Sequence, residues 1–336
     1  MKSFSITNGL ITVRVSDYGA KILSFVTPTR SGGQRDIVLG FNTDEEWQTQ
    51  EPYFNAVIGR YAGRIRDARF TLDGHTYSLT PNNGPNGLHG GVHAFNTKLW
   101  DVVARTSASI RLHLYSPDGD EGYPGGLHVF VTYSVTAPDT DTETGRTLGF
   151  GGLLIEYEAM SDAPTVVNFT QHTYFNLAGE GSGDVRAHEL SIDADRFAPA
   201  DDNTCPTGQL LPVDGTPMDF RQPVRLGDRW DLPFFAPWRG IDSAWLLNRR
   251  IEGKPGAILS VSDLTLDLFT DMEALVVYSG NFVEKHTGKS GTMYDERHAV
   301  CLEAQNLPAA PNYPDFPSSV LRPGELYARK TFYALR

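Results

Sequence analysis

Two side chains in this sequence suit proton transfer. Glu303 lies in Cys301-Leu302-Glu303-Ala304-Gln305-Asn306-Leu307-Pro308, and His172 lies in Asn168-Phe169-Thr170-Gln171-His172-Thr173-Tyr174-Phe175-Asn176. One is a carboxylate beside an apolar strand; the other is an imidazole among amides, hydroxyls and rings. Such surroundings fit an acid or base better than a solvated surface group. Strand alternation puts Ala299, Cys301 and Glu303 on one face, with Val300 and Leu302 on the other. A charge ending an apolar face is costly unless it is paired or functional. Taken singly, each residue also fits a paired structural group. Taken together, they suggest acid–base chemistry.

Four other clusters bear on the chemistry. Gly59-Arg60-Tyr61-Ala62-Gly63-Arg64-Ile65-Arg66 gathers arginines near glycines, and an arginine fork can serve hydroxyls or anions. It lacks the Lys-Ser/Thr ending of a phosphate loop, so a nucleotide site is not expected. In Asn86-Gly87-Leu88-His89-Gly90-Gly91-Val92-His93 two histidines stand four apart, a metal spacing on a helix. Gly90 and Gly91 make that helix poor, and a loop imidazole facing a ligand fits better. The acidic stretch Asp118–Gly126 does not match an EF-hand and reads as a tight connection between strands. Gly240-Ile241-Asp242-Ser243-Ala244-Trp245 sets a carboxylate near a ring, which fits either a sugar contact or a loop aspartate before a core tryptophan.

The elements that would carry these residues read as strands. Period-2 alternation marks Gly152–Ala159, where Leu153, Ile155, Tyr157 and Ala159 oppose Glu156 and Glu158, and also Leu127–Val135. Arg111–Tyr115, Ala257–Val261, Leu264–Phe269 and Ala274–Tyr278 follow suit. Helical periodicity is scarce, and Thr43–Gln50 is its best short stretch. Many short strands without strand–helix alternation predict an all-β sandwich or barrel. The absence of a composition break predicts one domain over residues 1–336.

The composition, 40% hydrophobic and 21% charged over 336 residues, is that of a soluble globular protein. A net charge of −12 argues against nucleic acid or an anionic membrane as partner and leaves neutral small molecules open. The N-terminal alternation is not a signal peptide, and no apolar run reaches a membrane span. Two cysteines without a CxxC pattern point to a reducing cytoplasm. The glycosylation pattern Asn168-Phe169-Thr170 then reads as chance.

Taken in order, these pieces resemble the aldose 1-epimerases, the galactose mutarotases, along nearly the whole chain. The resemblance is carried by residues 52–65, Asn86–Gly91, Asp118–Gly125, Gln171–Leu177, Gly280-Asn281-Phe282 and Cys301–Gln305. It implies a large antiparallel β-sandwich of the galactose mutarotase type. It also implies cofactor-free and metal-free interconversion of the α and β anomers of a free aldose. By position, Glu303 resembles the family's general base and His172 its general acid. Arg64, His89 and Asp242 resemble its substrate-holding residues, with Tyr174 beside them.

The implied reaction explains the residue types. O1–H loses a proton while the ring oxygen gains one, the ring opens to an aldehyde, and rotation about C1–C2 precedes reclosure. A carboxylate and an imidazole suffice, each transfer giving ~10²–10⁴-fold. Two departures bear on the preferred sugar: Gly63 stands where the family usually has Asn, and Ser243-Ala244 follow Asp242 where it often has His or an aromatic. The competing readings are a glycosidase using Glu303 and Asp242, a sugar-phosphate epimerase recruiting Arg60, Arg64 and Arg66, and a non-catalytic sugar-binding module. Oligomeric state is not legible.

Overall fold

The computed structural model describes residues 1–49, 53–140, 147–248 and 253–336. Two antiparallel sheets dominate it. The larger has nine described strands, in the order Asp101–Arg105, Ser109–Ser116, Leu127–Val135, Gly151–Ser161, Tyr327–Leu335, Leu264–Thr270, Ala257–Val261, Glu189–Ile192 and Val224–Arg225. The smaller has six, in the order Tyr174–Phe175, Val300–Gln305, Ala274–Tyr278, Asp242–Leu246, Arg196–Ala198 and Leu211–Pro212. A four-stranded sheet spans Ser3–Thr7, Thr12–Ser16, Ile22–Pro28 and Gln34–Asp36. The expected alternation is present: Leu153, Ile155, Tyr157 and Ala159 are buried while Glu156 is exposed. The short helix Asp44–Thr49 occupies the expected helical stretch, whose Gln50 lies outside the described residues, as does Pro52 of the family-like segment. No helix among the described residues is long and apolar enough to cross a membrane.

One core joins the sheets. Ile155, Tyr157, Leu266, Leu268 and Tyr333 from the larger sheet cluster with Trp245, Leu275, Val277, Val300 and Leu302 from the smaller. Tyr333 donates its hydroxyl to the carbonyl of Leu302 across the gap at 3.1 Å. The sandwich has a consequence for the opposite face of the smaller sheet. With Trp245, Leu275, Val277 and Leu302 turned inward, alternation sends Asp242, Ala244, Val276, Tyr278, Glu303 and Gln305 outward. Cross-strand register then aligns Asp242 with Tyr278, and Val276 with Glu303. The loops fold back over this outer face and make it the floor of a cavity.

Arg60 fastens one wall. Its guanidinium, 2% exposed, donates to the carbonyls of Pro124 and Gly125 at 2.8 Å and Pro117 at 3.0 Å. It also donates to the carbonyl of Ser116 at 3.1 Å and its hydroxyl at 2.7 Å. The 116–125 segment is thus the tight connection expected of it. Within it Asp118 accepts the N–H of Gly125, and Asp120 holds Lys98 and Ser116. Replacing Arg60 strands several buried carbonyls, each costing roughly 1–3 kcal/mol. Arg60→Met is therefore expected to lower unfolding free energy by about 2–4 kcal/mol, read from the urea midpoint. An unchanged midpoint would show that water replaces the fork.

Candidate functional site

The cavity on the outer face of the smaller sheet has a volume of about 260 Å³. It brings together all six residues singled out from the sequence: Arg64, His89, His172, Tyr174, Asp242 and Glu303. A larger depression of about 390 Å³ lies on the outer face of the nine-stranded sheet, lined by Leu154, Phe269 and Phe332 among others. It lacks the convergence of buried histidines and carboxylates, so the smaller cavity is the candidate site.

His172 sits where the chain crosses from one strand pair to another. Thr170–Gln171 pairs with Val57–Ile58, and Tyr174–Phe175 pairs with Val300-Cys301. Amides lock this crossing. Gln171 accepts the Tyr133 hydroxyl at 2.7 Å and donates to the carbonyl of Asn55. Asn55 in turn accepts the N–H of Tyr174 at 2.9 Å and donates to the carbonyl of Leu39 at 2.7 Å. The imidazole is held between the rings of Tyr174, 5.0 Å away, and Tyr53, 6.2 Å away, both nearly parallel to it. Its Nε2 lies 3.5 Å from Oε1 of Glu303.

The His89 loop explains its glycines. A Cβ on Gly90, at φ +90°, would lie 2.1 Å from the carbonyl oxygen of Gly59. Gly63 donates its N–H to Nδ1 of His89 at 3.1 Å, and the N–H of His89 donates to the carbonyl of Gly63 at 3.0 Å. With Nδ1 accepting, the neutral ring carries its proton on Nε2 and offers a donor to the cavity. His93 is exposed and takes no part.

His89, His172 and Glu303 do place ligand atoms within 4.8 Å of one another, and among the described residues this is the grouping that could hold a metal ion. The His89 tautomer argues against it. Metal ligation through Nε2 requires the proton on Nδ1, where Gly63 already points its own N–H. The donor set therefore does not fit a resident metal.

Charge is arranged in two pairs. Arg64 reaches Asp242 at 3.6 Å and donates to Asn83 at 3.0 Å. Glu303, 2% exposed, and His172, 4% exposed, form the other. Burial lowers His172 to about 4 and raises Glu303 well above the usual carboxyl range, with Asp242 raising it further and Arg64 opposing. Burial also lowers His89 and raises Asp242. Both effects disfavour isolated charge on the pair, so burial favours the proton on Glu303 over the proton on His172.

Two readings that the sequence leaves open are decided here. Of the three clustered arginines only Arg64 reaches the cavity: Arg60 is spent on the 116–125 segment, and Arg66 holds Asp201, Tyr313 and the carbonyl of Pro206. Trp245 is not a sugar platform, because it faces the core and donates to the carbonyl of Met218. It follows Asp242 by three residues on one strand, so alternation turns the two to opposite faces. Missed residues include Tyr53, Asn83, Tyr278, Phe282 and Gln305, all lining the cavity. Gln305 was legible as the residue two beyond Glu303. Phe282, 50% exposed, lies in the family-like Gly280-Asn281-Phe282 but assumes its place only through the fold.

Known proteins resemble this chain along nearly its whole length. The family model for aldose 1-epimerase matches residues 2–334. Galactose mutarotase of Sus scrofa is 40% identical, covering 99% of this chain and 93% of its own. Aldose 1-epimerase of Escherichia coli K12 is 37% identical, covering 97% and 92%. Among solved structures, an aldose epimerase homologue from C. elegans superposes with a TM-score of 0.88 at 29% identity, covering 100% and 98%. Galactose 1-epimerase from Lactobacillus acidophilus gives 0.84 at 27%, covering 99% and 94%.

Gly63 has a steric reason of its own. At φ +76° its Cβ would stand 2.8 Å from that of Pro308. Gly63→Ala is expected to destabilise by at least about 1 kcal/mol in a thermal melt and to loosen the His89 contact. A melt equal to wild type would show that Pro308 yields freely.

Proposed function

The chain belongs to the aldose 1-epimerase family, and from that premise we infer that it interconverts the α and β anomers of a free aldose such as glucose or galactose. The observation that carries the reading is the buried contact of His172 Nε2 with Glu303 Oε1 at 3.5 Å. O1 and O5 are bonded to the same carbon, so two adjacent groups can serve both. Arg64, Asp242, His89 and Tyr174 surround them as substrate-holding residues.

In the working form Glu303 is ionised and His172 protonated. The substrate's O1–H loses its proton to Glu303 while His172 delivers one to O5, and the C1–O5 bond breaks. The proton now rests on Glu303 and His172 is neutral, the distribution that burial favours in the unliganded cavity. After rotation about C1–C2, Glu303 returns its proton to the carbonyl oxygen as O5 re-attacks C1 and yields its proton to His172. The pair ends as it began. His89 Nε2–H and the Arg64–Asp242 pair supply fixed donors and acceptors for hydroxyls.

Rival readings lose their support. A sugar-phosphate site would need Arg60 and Arg66, which are committed elsewhere. A glycosidase pairing Glu303 with Asp242 leaves the buried His172 without a task, while Arg64 engages Asp242. A binding module has no need of a proton-sharing pair. We further take residues 1–336 as one domain, supported by the shared core and the family match over 2–334. Cytoplasmic residence is part of the same reading, supported by two buried free thiols, Cys205 and Cys301.

Polarimetry on freshly dissolved α-D-glucose and α-D-galactose tests the function. Wild type is expected to speed relaxation to an unchanged final rotation, and Glu303→Gln to lose about 10²–10⁴-fold. A near-normal Glu303→Gln rate would remove this carboxylate from the mechanism. The pH profile has a worked sign. Below about pH 4 His172 takes a second proton and the pair has no base. Above the raised value of Glu303 the pair has lost its only proton and has no acid. The expected bell therefore has its acid limb near pH 4, measured by kcat/KM, and a flat profile through pH 4 would refute the shared proton.

A further inference from the structure

Gln305 follows Glu303 by two residues on the strand Val300–Gln305, so both side chains leave the same face, their Cα atoms roughly 6.6 Å apart. Gln305 is fully buried, 0% exposed. Its Oε1 accepts from Nδ2 of Asn168 at 3.4 Å. The orientation of that amide is fixed from outside. Asn168 Nδ2 also donates to the carbonyls of Ala62 at 2.9 Å and Asn306 at 3.3 Å, while its Oδ1 accepts the N–H of Asn306 at 2.8 Å. Backbone groups have only one possible role each, so they decide which end of Asn168 is nitrogen. Asn168 then decides that the oxygen of Gln305 faces it.

Nε2 of Gln305 must therefore point the other way, and there it has no partner; Oε2 of Glu303 likewise has none. One is a buried donor, the other a buried acceptor, side by side on one strand face. Buried polar groups of this kind are rarely left unpaired. We propose that Gln305 is the positioning residue of Glu303, its Nε2–H donating to Oε2 whenever the carboxylate is ionised and so holding Oε1 toward His172 and the substrate. The proposal rests on the reading of Glu303 as proton acceptor and gives that reading its missing support.

The other groups around Glu303 act from different directions. His172, His89 and Arg64 face it from the cavity walls, Asp242 shares the floor, Cys301 shares its strand, and Tyr333 stands behind the sheet. Arg64 is engaged with Asp242 and Asn83. Gln305 adds an uncharged donor from the strand's own side. A hydrogen bond to the ionised form favours it, so without Gln305 the carboxyl keeps its proton to higher pH.

The test is the pH dependence of kcat by polarimetry for wild type, Gln305→Leu and Gln305→Met. In Gln305→Leu the alkaline limb is expected to move up by about one pH unit and kcat to fall about tenfold, with KM little changed. Gln305→Met, close in volume, removes the donor without adding a titrating group and should shift the limb in the same direction. It serves if the leucine variant fails to fold. A slower enzyme with unmoved limbs would make Gln305 merely structural and overturn the proposal, as would unchanged kinetics. Absence of acceleration by wild type would instead sink the mutarotase reading, and the proposal with it.

Discussion

A carboxylate held out of water on the face of a β-sheet is the constraint on which this molecule turns. Desolvation pushes the Glu303 carboxyl toward its neutral form. His172 stands at 3.5 Å from it, a titratable partner inside the same dry cavity. That arrangement demands two strand pairs brought within a hydrogen-bond length. The amides of Asn55 and Gln171 fix the segment carrying His172, and the strand Val300–Gln305 carries Glu303.

The sandwich makes such a face available. Packing against nine strands leaves the smaller sheet with one dry side and one side free for chemistry, which is the usual division of an antiparallel sheet. Here loops wall the free side into a cavity. The loops behind its walls find partners inside the protein for their polar backbone. Arg60 spends its fork on carbonyls of the 116–125 segment, and Glu121 accepts the N–H groups of Val92 and His93. Buried loops tolerate little else, since each unpaired backbone group is costly.

The site balances its charges within the cavity. Arg64 and Asp242 neutralise each other within the cavity, and the two histidines are held neutral by burial. A neutral polyhydroxyl ligand meets donors and acceptors rather than a net field. An overall charge of −12 therefore has little to say about this ligand.

The sequence by itself determined a good deal. Period-2 alternation located the strands and their buried faces, because a strand half-buried in a sandwich must repeat every two residues. Glu303 stood out as a charge at the end of an apolar face, and His89 as an imidazole flanked by glycines that permit close approach. The ordered motifs implied the family and the six cavity residues. Only the tertiary structure decided which arginine serves the site, because Arg60, Arg64 and Arg66 carry the same side chain and differ only in what the fold sets opposite them. It also turned Trp245 into the core, set Asn83 and Phe282 at the cavity, and paired Glu303 with His172 across 131 positions of chain. Local pattern encodes which way a side chain leaves its strand. What it meets there depends on long-range register, which no window of sequence contains.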